Sequence, residues 1–437
     1  MASMPERGPS MRILSLLTFA LLMACQQQAP TAPGEVQPAA PESVAYTNAN
    51  VWDGTGAPML RGATLVVAEG RVQSVSMDEP PAGARVVDLD GAFVIPGLIN
   101  SHGHITANWG NTETVDPVER VREGLEVFAR YGVTTVLSLG GAPDEAFAVR
   151  DAQDPANPEF ARAFLAGPVV ADTTAAAARE TSVANVERNA DWLKLRVDDN
   201  LGRGQKMPWE AVQAVIDVGR EAGLAVATHM YYLDDAKRLL DMGTGMIAHS
   251  IRDLPVDDEF VASLDASGVC YVPTLTREVS TFVYADRPEF FDDPFFQRGA
   301  NADQIARVSD PEFIQNMAQS DVAAAYRVAL DQAMLNLGSL YADGAKIGMG
   351  TDSGPLGRFP GYFEHLELTM MVEAGMSPED ALLSATGVAA ECIDRSDVGT
   401  LEAGRWADFL VLAEDPTVDI LATRTLQRVF LAGNELR

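Results

Sequence analysis

Ile95-Pro96-Gly97-Leu98-Ile99-Asn100-Ser101-His102-Gly103-His104 runs from an apolar, strand-like stretch straight into a His-Gly-His pair. Side chains alternate along an extended backbone, so the two histidines point the same way and are able to bind one metal ion. Working outward, apolar runs alternate with helical patterns, the signature of βα units and a parallel sheet. Candidate strands are Phe93 to Ile99, Val133 to Ser138, Ala163 to Val170, Trp192 to Val197, Leu224 to Thr228, Met246 to Ala248, Val269 to Thr274 and Ile347 to Gly350. Helical patterns such as Pro117 to Tyr131, Trp209 to Ala222 and Asp234 to Met242 lie between them. This reading predicts an α/β fold, a TIM (β/α)8 barrel over 95–397. A doubly wound sheet gives similar periodicity and stays open on these grounds alone.

Both ends of the chain read differently. Residues 44–94 are short strands punctuated by Gly54, Gly56, Gly70, Pro80-Pro81-Ala82-Gly83 and Asp90-Gly91, and 398–437 repeat that character around Gly433-Asn434. The two ends are expected to pair into one small β-sandwich domain. Ahead of them, Ile13 to Ala24 is an apolar run too short for a permanent membrane span, and it ends in Leu22-Met23-Ala24-Cys25. That pattern resembles a bacterial lipobox. It predicts a lipoprotein-type signal over 1–25, with Met11 as an alternative start, and a lipid anchor at Cys25 as the only membrane contact. An ordinary secretory signal with a chance cysteine is the alternative. Residues 26–43, rich in Gln, Ala and Pro, read as a flexible tether. The expected location is the periplasmic side of a membrane or the cell surface.

The balance of 62 acidic against 32 basic residues, a formal net charge of −30, excludes a nucleic-acid partner, since phosphate contacts need clustered Lys and Arg. Cys270 and Cys392 show no spaced framework and suggest neither a disulfide scaffold nor a cysteine zinc site, with a single bridge left open.

Four of the five histidines end predicted strands: His102 and His104, His229 after Leu224 to Thr228, and His249 after Met246 to Ala248. Asp352, in Gly350-Thr351-Asp352-Ser353, ends the last one. All map to the rim on which the active sites of a barrel are built. In Asp191-Trp192-Leu193-Lys194-Leu195-Arg196-Val197, alternation sets Lys194 on the face opposite the leucines, pointing inward. A buried ammonium is costly, so Lys194 must be paired with a carboxylate or chemically neutralised.

The quoted opening stretch, together with Gly132-Val133-Thr134-Thr135-Val136, Gly350-Thr351-Asp352-Ser353 and Gly399-Thr400-Leu401-Glu402-Ala403-Gly404-Arg405-Trp406-Ala407-Asp408, resembles the landmarks of the amidohydrolase superfamily in order. The nearest branch is imidazolonepropionase-like and includes Xaa-Pro dipeptidases. The resemblance implies two divalent metal ions: zinc first, with manganese, cobalt or iron as alternatives. It assigns one to His102, His104 and Asp352, a second to His229 and His249, and a bridging N6-carboxylysine at Lys194. A hydroxide shared by the metals attacks the carbonyl, and Asp352 carries its proton to the leaving amine. His229-Met230-Tyr231 is similar to a His-Ala-Tyr element of the branch, which points to Tyr231 as donor to the oxyanion. Arg196, and more loosely Arg203 and Arg252, are candidates for a substrate carboxylate.

Asn100 departs from the Asp usual at that position. No Glu follows His229 within a turn, which favours a two-metal hydrolase over a one-metal deaminase. The expected substrate is a small molecule with an amide bond, in a dipeptide or an N-acyl amino acid. A lactone, ester or phosphoester is the enzymatic alternative, and a non-catalytic metal-binding lipoprotein the non-enzymatic one. Arg277 to Gln319 reads equally as a substrate lid or a surface insertion. His365 reads as structural, and oligomerisation stays open.

Overall fold

The structure, a computed structural model, describes residues 43–105 and 116–436. The expected signal, the Cys25 anchor and nearly all of the tether lie outside the described residues. Among those described, no helix is long and apolar enough to cross a membrane.

The chain opens with strands β1 (Val44–Val51), β2 (Leu60–Ala68), β3 (Arg71–Ser76), β4 (Arg85–Asp88) and β5 (Phe93–Pro96). It continues through β6 (Leu98–Gly103), β7 (Val133–Ser138), β8 (Arg162–Leu165), β9 (Leu193–Arg196), β10 (Val226–His229), β11 (Met246–Ala248) and β12 (Cys270–Val272), with helices between most of them. It closes with β13 (Phe409–Leu412), β14 (Leu426–Leu431) and β15 (Asn434–Glu435).

Both ends of the chain share one eight-stranded sheet, ordered β15-β14-β13-β5-β1-β2-β3, with β4 also on β1. The β2–β3 hairpin turns on Glu69 and Gly70, both at positive φ, the geometry whose twist matches its flanking strands. Val72 N donates to Arg405 O and Ala407 N to Gly70 O, so the β3 edge meets the segment that leads into β13. Tyr46, Leu65, Val67, Phe409 and Phe430 fill the core of this unit, with the Phe409 and Phe430 rings stacked 4.2 Å apart.

The expected strand Phe93 to Ile99 is two strands. β5 belongs to the end sheet, paired with β13 from Phe93↔Leu412 to Pro96↔Phe409, and β6 belongs to a parallel sheet. Gly97 is the junction: its N–H reaches Asp408 O, and a Cβ there would lie 2.1 Å from Thr134 Oγ1, so only glycine fits.

β6-β7-β8 and β9-β10-β11-β12 are the two parallel sheets. Single parallel bridges extend them: Val170↔Leu195 on β9, Tyr271↔Ile347 on β12, and Gly103↔Ser353 on β6. The expected strand Ile347 to Gly350 is therefore a run held by isolated pairings rather than a regular strand. The helix-facing core gathers Leu193, Leu195, Val212, Val215, Leu239, Ile247 and Phe260. A separate cluster joins Ile99, Leu137, Ala166, Trp192, Ala227, Ala248 and Val272, contributed from β6 round to β12. Alternation along β9 thus separates its leucines from Trp192 and Lys194, as the pattern predicts.

Cys270 and Cys392 form a disulfide, a partnership their spacing does not reveal. Residues 277–319 fold into short helices whose Phe290, Phe291, Phe295 and Phe296 pack with Tyr131, Phe359, Tyr362 and Phe363.

Candidate metal centre

β6 delivers His102 and His104. The segment after Met349 lies alongside it, with Ser101 N on Met349 O, Asp352 N on His102 O at 2.6 Å and His104 N on Ser353 O at 2.8 Å. These backbone bonds bring Asp352 to the histidines. His249 is placed by its own N–H on Val272 O of the neighbouring strand. His249 (φ 84°), Thr274 (φ 52°) and Asp352 (φ 56°) all hold left-handed backbone, a conformation that L-residues with side chains pay strain to adopt and that clusters at functional sites.

Asp352 Oδ1 sits 2.6 Å from His104 Nε2 and 3.5 Å from His102 Nε2. The His249 ring centroid lies 4.6 Å from that of His102 and 4.2 Å from that of His229. Lys194 Nζ, only 3% exposed, faces His102 Nε2 at 3.3 Å rather than a carboxylate. His102, His249 and Asp352 present donor atoms that all lie within 4.8 Å of one another. This trio crosses the division implied by the resemblance, because His249 lies beside His102 as well as beside His229.

Burial, with Lys194 adding to it, holds His102 well below the usual imidazole range. Burial and the neighbouring His229 do the same to His249, and burial lowers His229 to about 3 despite its bond to Asp198. The three rings are neutral near pH 7, the form that ligates metal. Burial alone would raise Asp352, but Arg358 and His104 hold it well below the carboxylate range, so it is ionised. Burial lowers Lys194 to about 7. A buried set of neutral imidazoles and one carboxylate suits a borderline divalent cation. His102 Nδ1 is also buried without a hydrogen-bond partner among the described residues. The residues present fit a metal.

Outer contacts orient the ligands. His229 Nε2 lies 2.9 Å from Asp198 Oδ2, which leaves Nδ1 for the centre, and His249 Nδ1 lies 2.7 Å from Thr274 Oγ1, which leaves Nε2. Asp198 was not among the residues expected from sequence, although a carboxylate two residues past the end of the Lys194 strand is the signal that marks it. Arg358 and Arg277 were missed too. Arg358 bonds Asp352 Oδ2, and Arg277 Nε approaches the same oxygen at 3.8 Å. No spacing rule connects either arginine to the histidines.

Of the three arginines proposed from sequence, Arg196 and Arg252 stand behind the centre and Arg203 stands apart from it. Arg196 is 3.6 Å from Asp198 and bonded to Asn200, so it braces the Asp198 loop. Arg203 is exposed in the turn at 200–203 and is not gathered at the centre. Arg252 is fully buried against Glu278 at 3.3 Å, under the Tyr231 ring. Tyr231 is 8% exposed, and burial raises its phenol to about 12, so it keeps its proton. Tyr231, Arg252, Glu278, Arg277 and Asp352 form a continuous line of contacts to the centre. Residues 277–319 therefore begin at the site and end in the aromatic core. His365 bonds Thr423 Oγ1 and Tyr131 O and is structural.

A centre of neutral imidazoles, an ionised aspartate and a buried amine at the ends of parallel strands is equipment for metal-assisted hydrolysis. The amidohydrolase family profile matches residues 93–436, and the chain belongs to that family. It is a metal-dependent hydrolase acting on carbon–nitrogen bonds. It is 26% identical over 417 residues to imidazolonepropionase of Deinococcus radiodurans, covering 86% of this chain and 93% of that one. Among solved structures, a Xaa-Pro dipeptidase with methionine bound in its active site matches with a TM-score of 0.74 at 19% identity, over 90% of this chain and 99% of the other. Ochratoxinase of A. niger matches with a TM-score of 0.70 at 18% identity, over 91% and 96%. At such identities the structural likeness speaks to the fold alone.

Proposed function

We propose that the chain is a two-metal hydrolase that cleaves the amide bond of a dipeptide or an N-acyl amino acid. The observation that supports this reading is the chain of contacts that links His104, Asp352, His102, His249 and His229, with the buried amine of Lys194 on His102. Bound there, two divalent ions would supply an activated water and polarise the scissile carbonyl. Asp352, ionised and steadied by Arg358, is the group able to take up a proton and pass it to the leaving amine. Tyr231, protonated at neutral pH, is the donor suited to the carbonyl oxygen as charge develops on it. Lys194 is neutral enough at pH 7 to take up carbon dioxide with release of a proton, and the carbamate would supply anionic oxygens to hold metal there.

The architecture proposed for this centre is a closed (β/α)8 barrel. It is supported by the bridges that carry the pairing from β6 round to Ser353 and back, and by the inner cluster shared among those strands. The contact of β3 with residues 404–407 supports a two-layered sandwich for the end sheet. Export is proposed from the first 25 residues. The Cys270–Cys392 disulfide supports it, because such bonds persist in oxidising compartments. A Cys25→Ser form should move from the membrane to the soluble fraction.

The test of function is metal content of protein purified without chelator, followed by side-by-side turnover of dipeptides, N-acyl amino acids, lactones and aryl esters. About two metals per chain and preference for the amides are expected. Turnover confined to lactones or esters would keep the centre and replace the substrate, whereas a folded chain that takes up no metal would overturn the proposal.

A further inference from the structure

Glu364 stands in the first turn of the helix Tyr362–Glu373, fully buried, and does not touch the proposed ligands directly. Its carboxylate is a hub. Oε1 accepts from Asn100 Nδ2 at 2.6 Å, Thr351 Oγ1 at 2.8 Å and Ser353 Oγ at 2.6 Å, and Oε2 accepts from Gly361 N at 2.6 Å. The second Asn100 N–H goes to Thr351 Oγ1 at 2.9 Å, and Asn100 Oδ1 accepts from His102 N at 2.9 Å. Every proton in this network has a direction, and every one converges on or leads to Glu364. The residues it holds flank the centre on two separate segments. Asn100 and His102 belong to β6, while Thr351 and Ser353 bracket Asp352 on both sides.

We propose that Glu364 is a positioning residue that fixes the Asp352 segment against the His102 strand, and that residue 100 is an amide because residue 364 is a carboxylate. This rests on the metal-hydrolase reading above. An aspartate at 100 would set two carboxylate oxygens at the 2.6 Å now spanned by the Asn100–Glu364 bond, and both could not stay ionised. An amide at that place supplies both protons that the network consumes. It also explains why this chain departs from aspartate at 100 without losing its ligand set: the negative charge that supports the centre from behind sits on the helix instead.

The experiment is a pair swap read by metal affinity in a chelator competition, with kcat, KM and melting temperature alongside. Asn100→Asp should weaken metal binding by about 10- to 100-fold, the usual cost of disturbing an outer partner, and lower kcat more than KM. Asn100→Asp combined with Glu364→Gln restores one charge and one amide in exchanged places, and should recover at least tenfold of the lost affinity. Ser353→Ala removes one donor and no charge, and should move affinity the same way by a smaller factor. If the double variant binds metal no better than Asn100→Asp, or if the variants melt earlier with unchanged affinity, the positioning role is refuted. Wild-type protein that takes up no metal would instead defeat the hydrolase reading, which separates the two failures.

Discussion

Lys194→Ala removes the one amine at the centre, and the size of the effect follows from where that amine sits. Nζ is buried, faces a neutral imidazole 3.3 Å away, and is lowered by burial to about 7 from an ordinary 10.5. At pH 7 roughly half of it is uncharged, against about 0.03% of an ordinary lysine, so its capacity to form a nitrogen–carbon bond with carbon dioxide is on the order of 10³ greater. The reaction releases one proton and leaves two oxygens where a cation would otherwise be trapped. Metal-stripped wild type, reconstituted at fixed dissolved carbon dioxide, should regain metal about tenfold faster at pH 8 than at pH 6 and then level off. An unperturbed lysine would keep climbing about tenfold per unit. Labelled bicarbonate should give one carbamate carbon signal in wild type and none in Lys194→Ala. The variant should carry about one metal fewer per chain and lose most turnover. Full metal content and full activity in Lys194→Ala would refute the bridging role, whatever the pH profile.

Three other expectations concern the shell around the centre and the frame that holds it. Asp198→Asn keeps the shape but weakens the hold on His229 Nε2, and should lower metal affinity by about 10- to 100-fold in chelator competition with little change in melting temperature. The metal-free protein should lose stability as pH falls from 6.5 towards 3: His229 is depressed to about 3, and His102 and His249 are lowered as well, so the unfolded chain binds more protons in that window. Glu367, raised by burial to about 8, works in the opposite direction between 4.5 and 8, as do Glu364 and Asp235, also raised by burial, against four depressed imidazoles once His365, lowered to about 3, is included. Melting temperatures of stripped protein at pH 7.5 and 5.5 check the sign, and a rise on acidification would contradict it. Reducing Cys270–Cys392, which closes a separation of 122 residues, should cost about 2–4 kcal/mol, read as a lower denaturant midpoint with and without reductant.

The histidines and Asp352 stand out in the sequence because each ends an apolar run, and strand alternation alone assigns Lys194 to the face away from Leu193 and Leu195. The regular strands between β6 and β12 were legible within a few residues for the same reason. What escaped lies in loops. Arg358 reaches Asp352 through a turn that carries no periodicity, and Arg277 does so from a short helix. Arg196 has Asp198 beside it, a partner that strand alternation does not reveal. The boundary between the two sheets was missed because Phe93 to Ile99 is apolar throughout, and only the contact of Gly97 with Thr134 shows why the chain changes sheets there. The disulfide was illegible for a different reason: its two cysteines are distant in sequence, and only the fold brings them together.

The pairing of β5 with β13 has a consequence for the order of events during synthesis. Val94 pairs with Val51 on one side, but its other side is filled by Val411, and Gly97 N–H finds its acceptor in Asp408. The strand that carries the His-Gly-His pair is therefore launched from a sheet whose strands β13, β14 and β15 are made after every ligand-bearing segment. Until those strands emerge, the first ligands have a loose footing, and the centre assembles late. A nascent chain stalled ahead of residue 409 should hold metal poorly even with every ligand already synthesised, so that metal capture reports the arrival of β13.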